Sequence, residues 1–148
     1  MAALTADKEL EMKNPGGVIR LKMGASKTIY KGSMVSITKA TGLAMASADT
    51  SGSAADIFAG IAVEGNVSAA TGTYYIKVYT EGAFRLVGSS LEEADIGQGL
   101  TVSDDQTVTD SASTYDIPVG ILVEMVSATD AWVLIRPFAA AAASIPAT

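Results

Sequence analysis

The 148-residue chain states one phrase twice. Residues 54–65, AADIFAGIAVEG, align without a gap to residues 114–125, TYDIPVGILVEM. The alignment pairs Asp56 with Asp116, Ile57 with Ile117, Gly60 with Gly120, Ile61 with Ile121, Val63 with Val123 and Glu64 with Glu124. The next segments agree as well: NVSAATGTYYIKVY and MVSATDAWVLIRP each run from a Val-Ser-Ala turn into an aromatic-led strand, the second loop being three residues shorter. An internal repeat restricts the chain to architectures that one unit can build twice.

Alternation identifies the unit. In VIRLKM, Val18, Arg20 and Lys22 fall on one side and Ile19, Leu21 and Met23 on the other, the period of two of a half-buried strand. MVSI and GLAMA flank the turn TKATG, and GLTVS and TVT flank DDQ, so each copy carries a short hairpin. The expected class is all-β, a small closed or nearly closed barrel or sandwich over residues 18–138. The repeat spans about residues 31–80 and 96–136, and its two Gly-Ile-x-Val-Glu strands serve as matching staves of one barrel. The helical candidate is SSLEEADIG, with Ser90 as N-cap, Glu93 three residues on and Gly97 as the stop; it reads as a connector between the copies.

The ends read differently. Residues 1–17 mix both charge signs with Leu4, Leu10, Met12 and Lys13 and finish on Asn14, Pro15, Gly16 and Gly17, which break regular structure. They form an arm outside the core, either without fixed structure or ordered on a partner. Residues 139–148 are an alanine-rich tail, shorter than the roughly 20 apolar residues that span a bilayer. Charges near the start leave no apolar stretch for a secretory signal, so the chain reads as soluble, with no membrane partner.

The absent residue types exclude much chemistry. With no cysteine, disulfides, thiolate metal ligands and a Cys nucleophile are all unavailable. With no histidine, the commonest general base and transition-metal ligand are missing. A net charge of −6 repels nucleic acid, and no window gathers a basic patch.

The remaining motifs are structural in this context. GASKT (24–28) has the Lys-Thr pair of a phosphate loop but lacks its glycines and a following long helix. Ser36 and Lys39 match Ser-x-x-Lys, yet they sit at a strand end rather than on a helix. Asp104, Asp105 and Asp110 lack EF-hand spacing, and Glu64 and Glu124 read as one solvent-facing position of the repeat rather than a glycosidase pair. Asn66 begins an N-glycosylation sequon that, without a secretory signal, is a turn. No catalytic, cofactor-binding or metal site is expected.

What is left is surface. In YYIKVY, Tyr75, Lys77 and Tyr79 oppose Ile76 and Val78; in WVLIR, Trp132, Leu134 and Arg136 oppose Val133 and Ile135. Large apolar groups stand on both faces, so the second face is covered by another part of this chain or by another chain. Tyr75, Tyr79, Trp132 and Leu134 are the candidate subunit interface.

The order of YKGSMVSI, FAGIA, EGAFRL, DIGQGLTVSDD and VGILVE, over about residues 27–136, resembles the capsid decoration proteins of tailed bacteriophages, head-stabilising cement proteins with a small β-barrel or β-tulip domain. The resemblance implies a structural virion protein, not an enzyme, made in the host cytoplasm and added to the outer surface of the expanded capsid. It implies the major capsid protein and further copies of the same chain as partners, in a homotrimer, with Leu4, Leu10, Met12 and Lys13 in an arm reaching over coat subunits. Two other readings stay open: another virion β module, from tail or fibre, and a carbohydrate-binding domain.

Overall fold

β-Branched and aromatic residues in short alternating runs, cut by glycine and polar turns, give twelve strands among the described residues. The structure, a computed structural model, describes residues 17–47, 56–110 and 117–138. The candidate arm with Leu4, Leu10, Met12 and Lys13, the alanine-rich tail and Asp116 lie outside these residues. In chain order the strands are β1 (Val18–Lys22), β2 (Thr28–Ile29), β3 (Met34–Ile37), β4 (Ala44–Ala46), β5 (Ile57–Ala62), β6 (Asn66–Val67) and β7 (Tyr75–Tyr79). They continue with β8 (Ala83–Ser89), β9 (Gly99–Val102), β10 (Thr107–Thr109), β11 (Pro118–Met125) and β12 (Asp130–Ile135). The class is all-β, with a closed five-stranded barrel, as the sequence predicts.

That barrel runs β8-β12-β11-β9-β10 and closes through a parallel pairing of β10 with β8. The first half of the chain has the same order, β1-β7-β5-β3-β4. Its edges meet in one parallel bridge, Met23 with Ala44, where the second unit pairs Gly88 with Val108. Backbone hydrogen bonds repeat in step. Met23 N donates to Tyr74 O at 2.8 Å as Gly88 N does to Thr129 O at 2.8 Å, and Gly32 N to Ala62 O at 3.0 Å as Gly97 N to Leu122 O at 2.8 Å.

The repeat is therefore longer than the sequence suggests. Each copy begins earlier, at β1 and at β8, with VIRL of β1 matching AFRL of β8, so Arg20 corresponds to Arg85 and Leu21 to Leu86. The two Gly-Ile-x-Val-Glu phrases are not staves of one barrel: β5 belongs to the first unit's sheet and β11 to the closed barrel. The gap in the alignment also shifts. Ile61 pairs with Tyr79 and Ile121 with Leu134, so Tyr79 and Leu134 are equivalent and the second loop is shorter by five residues, not three. The extra length in the first unit carries β6, which forms a two-stranded ribbon with β2.

The short helix forms, but displaced. A 3-10 turn at Glu93–Asp95 is capped by Glu92, whose side chain accepts from the backbone of Asp95 while Asp95 accepts from Glu92 N at 2.9 Å. Ser90, the expected cap, stands two residues upstream at φ 58°. Because β8 opens the second unit, this turn lies inside that unit and does not join the copies.

The repeated glycine now has a physical cause. A Cβ on Gly60 would overlap the carbonyl oxygen of Tyr79, and one on Gly120 would overlap that of Leu134 and lie 2.9 Å from the Ile135 Cα. The adjacent strand therefore crosses in contact with the glycine itself. Beside each glycine sits a bulge at the same place in the repeat, between Phe58 and Gly60 opposite β3 and between Pro118 and Gly120 opposite β9. Bulges sharpen the local twist that a small barrel needs to close.

The copies share a core. Met34, Phe58 and Ile61 of the first unit cluster with Leu86, Leu100, Val108, Leu122 and Val133 inside the second. Met23, Ile29, Val35, Ala62, Ile76 and Val78 fill the first unit. Packing on both sides explains why Phe58 to Ala62 is buried without alternation. Two backbone bonds reinforce the joint, Met34 N to Asp105 O at 2.8 Å and Phe138 N to Phe58 O at 2.8 Å.

Candidate functional site

The four candidate interface residues face outward on β7 and β12, the equivalent strands of the two units. On β7, Ile76 and Val78 are buried while Tyr75, Lys77 and Tyr79 face out; on β12, Ala131, Val133 and Ile135 are buried while Trp132 and Leu134 face out. Tyr75, Tyr79, Trp132 and Leu134 keep between 36% and 41% of their surface, too much for a core and unusual for aromatic side chains on open sheet. The described chain thus leaves these faces partly uncovered. Tyr79 also reaches the joint, its ring centroid 5.6 Å from that of Phe84.

Strand pairing adds residues that the sequence does not gather. β1 lies beside β7 with Arg20 opposite Lys77 and Lys22 opposite Tyr75, so Arg20, Lys22 and Lys77 share the outward face of the two tyrosines. The Arg20 guanidinium carbon stands 4.0 Å from the Tyr75 ring centroid, a cation–π contact. In the second unit Arg85 occupies the place of Arg20 and Asp130 that of Tyr75, and the two form an ion pair at 3.0 Å. Glu124 lies opposite Trp132 on β11. One repeat position is thus answered by an aromatic face in one copy and by a carboxylate in the other. The alternation of each strand was legible in the sequence; which strands are neighbours was not.

Most of the other candidate residues serve the fold. Ser36 is buried in β3, its hydroxyl 2.6 Å from that of Ser47, while Lys39 is exposed beyond the strand and its backbone N–H donates to Asp56. In GASKT, Ser26 adopts φ 55° in a turn and Lys27 N donates to the Ser68 hydroxyl at 2.8 Å, leaving no anion cradle at a helix start. Asp104 caps its own turn by accepting from Gln106 N and Thr107 N, and Asp105 accepts from the Ser33 hydroxyl at 3.4 Å. Asn66 spans the ribbon base, donating to Tyr75 O at 2.8 Å. Glu64 and Glu124 are both exposed.

Two hollows accompany the faces. A groove of about 320 Å³ between the 3-10 turn and the β11–β12 hairpin is lined by Leu91, Glu92, Glu93, Met125 and Val126. A cleft of about 350 Å³ at the joint is lined by Tyr30, Lys31, Ser33, Asp105 and Gln106. Its one hydroxyl–carboxylate pair, Ser33 with Asp105, has no imidazole to carry a proton, since the chain contains no histidine. Among the described residues no three His, Cys, Asp or Glu side chains converge on a point that could hold a metal ion. Comparison with family models, with curated proteins and with solved structures returned no match.

Proposed function

We propose that this chain is a structural virion protein that binds the exterior of an expanded phage capsid, as a trimer, and stabilises the shell against internal DNA pressure. The observation that carries the reading is the pair of outward faces on β7 and β12. They present Tyr75, Tyr79, Trp132 and Leu134 on the outward sides of equivalent strands, with Tyr79 and Leu134 at the same repeat position. Such faces suit contact with protein surfaces, and the order of phrases along the chain supports a decoration protein among proteins built for contact.

The mechanism is thermodynamic. A protein that binds the intact shell and not its fragments stabilises the shell by mass action, in proportion to the logarithm of ligand over dissociation constant. Three linked copies engaging three equivalent points gain further from effective concentration, so each contact can be weak.

The test is co-sedimentation of the purified protein with undecorated, expanded heads, together with the temperature at which the heads rupture. Saturable binding with a raised rupture temperature is expected. Absence of binding to intact heads, with binding to tail components or soluble glycans instead, would replace this reading by one of the two alternatives.

A further inference from the structure

The two units share a strand order but carry opposite charge. Residues 17–81 carry six Lys or Arg against four Asp or Glu, and residues 82–138 carry two against nine. The net charge of −6 therefore conceals a basic first unit and a strongly acidic second one. The outward faces of β7 and β12 follow the same division. The first presents Arg20, Lys22 and Lys77 around Tyr75 and Tyr79. The second presents Trp132 and Leu134 with Asp130 and Glu124 beside them; of its cations, Arg85 is already paired with Asp130, and the exposed Arg136 follows the end of β12.

We infer that copies of this chain associate head to tail, the β1–β7 face of one seated on the β11–β12 face of the next. The inference rests on the reading of these faces as subunit contacts, and it names which surface meets which. Charge decides the pairing. A β1–β7 face against its own copy would bring three cations to three cations, whereas against the β11–β12 face it meets Glu124, an Asp130 shared with Arg85, and the larger aliphatic and indole surfaces. The summed fields of the two units, basic and acidic, orient the approach in the same sense. Such a contact joins two different surfaces, so it is heterologous and either closes into a ring or continues as a filament.

The experiment is analytical ultracentrifugation of the full chain, first across a salt series and then with Lys77→Glu, Glu124→Lys and the double variant. Both side chains are exposed on strands, and thermal melting of each variant checks the fold. The wild type should associate at low salt and loosen as salt rises, because rim charges are screened beyond the Debye length. Each single variant should weaken association by about tenfold or more, and the double variant should recover most of the loss, since the exchanged charges meet again across a heterologous contact. Failure of the double variant to recover would overturn the head-to-tail arrangement, because exchange cannot restore a face that pairs with itself. A wild type that stays monomeric, or associates without salt dependence, would overturn it as well. Where charge reversal lowers the melting temperature, the milder Lys77→Ala and Glu124→Gln should each weaken association by a smaller factor, and no effect from either would count against the inference. Head binding by a monomeric wild type would leave the decoration reading standing without this one. Salt-dependent assembly without head binding would do the reverse.

Discussion

Replacing Gly120 with alanine tests the explanation of the repeated phrase. The added Cβ would overlap the Leu134 carbonyl oxygen and stand 2.9 Å from the Ile135 Cα and 3.0 Å from the Leu134 carbonyl carbon. These are backbone atoms of a paired strand, so no rotamer change relieves the contact and β12 must move away from β11. Overpacking of this kind costs about 3 kcal/mol, the upper part of the usual range. Gly60 meets the same obstruction from Tyr79 and also holds φ 150°, which an L side chain resists. Gly60→Ala should therefore cost about 2 kcal/mol more than Gly120→Ala. Gly99 is the control: a Cβ there meets nothing within 4 Å, and Gly99→Ala should lie within about 0.5 kcal/mol of wild type. For a chain of this size each kcal/mol moves the melting temperature by about 3 °C, so the three variants should fall by about 15, 10 and less than 2 °C in the order Gly60, Gly120, Gly99. Urea titration of the same proteins supplies the free energies directly. A Gly120→Ala variant as stable as Gly99→Ala would refute the close crossing as the reason for the repeat.

Other outcomes follow from single contacts. Ser36→Ala strands the buried Ser47 hydroxyl and should cost about 2 kcal/mol, whereas Ser36→Ala with Ser47→Ala should cost less than the single change, as read by denaturation midpoints. Arg85→Ala breaks an ion pair whose arginine is half exposed and should cost no more than about 0.5 kcal/mol, a value that added salt erases. Trp132→Glu should give folded monomers in light scattering; undisturbed oligomers would remove Trp132 from the interface. Deleting residues 1–14, which precede the first described strand, should leave the melting curve in place and weaken head binding, and undiminished binding by that truncation would remove the arm from the contact.

Much of the fold could be read from period and turn. Alternation in VIRLKM and YYIKVY fixed which side chains face out, and the polar turns at TKATG and DDQ fixed two hairpins, because both signals are local. The equivalence of β1 and β8 escaped because only Arg and Leu persist between VIRL and AFRL, and the segments after them diverge into a ribbon in one copy and a 3-10 turn in the other. The loops differ by five residues where the sequence suggests three, because Tyr75 and Trp132 look like the same aromatic, whereas register pairs Arg20 with Lys77 and Arg85 with Trp132. Equivalence in a sheet belongs to the partner strand, which sequence alone does not state. The candidate faces were legible as residues and not as surfaces, for the same reason: the cations of β1 reach the tyrosines of β7 only through long-range pairing.

Duplicated units often behave as beads, each surviving the loss of its neighbour. This chain departs from that expectation, because Met34, Phe58 and Ile61 leave their own unit to complete the interior of the other. Each such side chain contributes about 2 kcal/mol of burial, a large share of what holds a small barrel closed. The first copy is therefore also the lid of the second, and melting it would open the acidic barrel to water from that side. A core shared in this way couples the two units, so they should melt in one transition rather than two, despite the matching strand order that suggests independence.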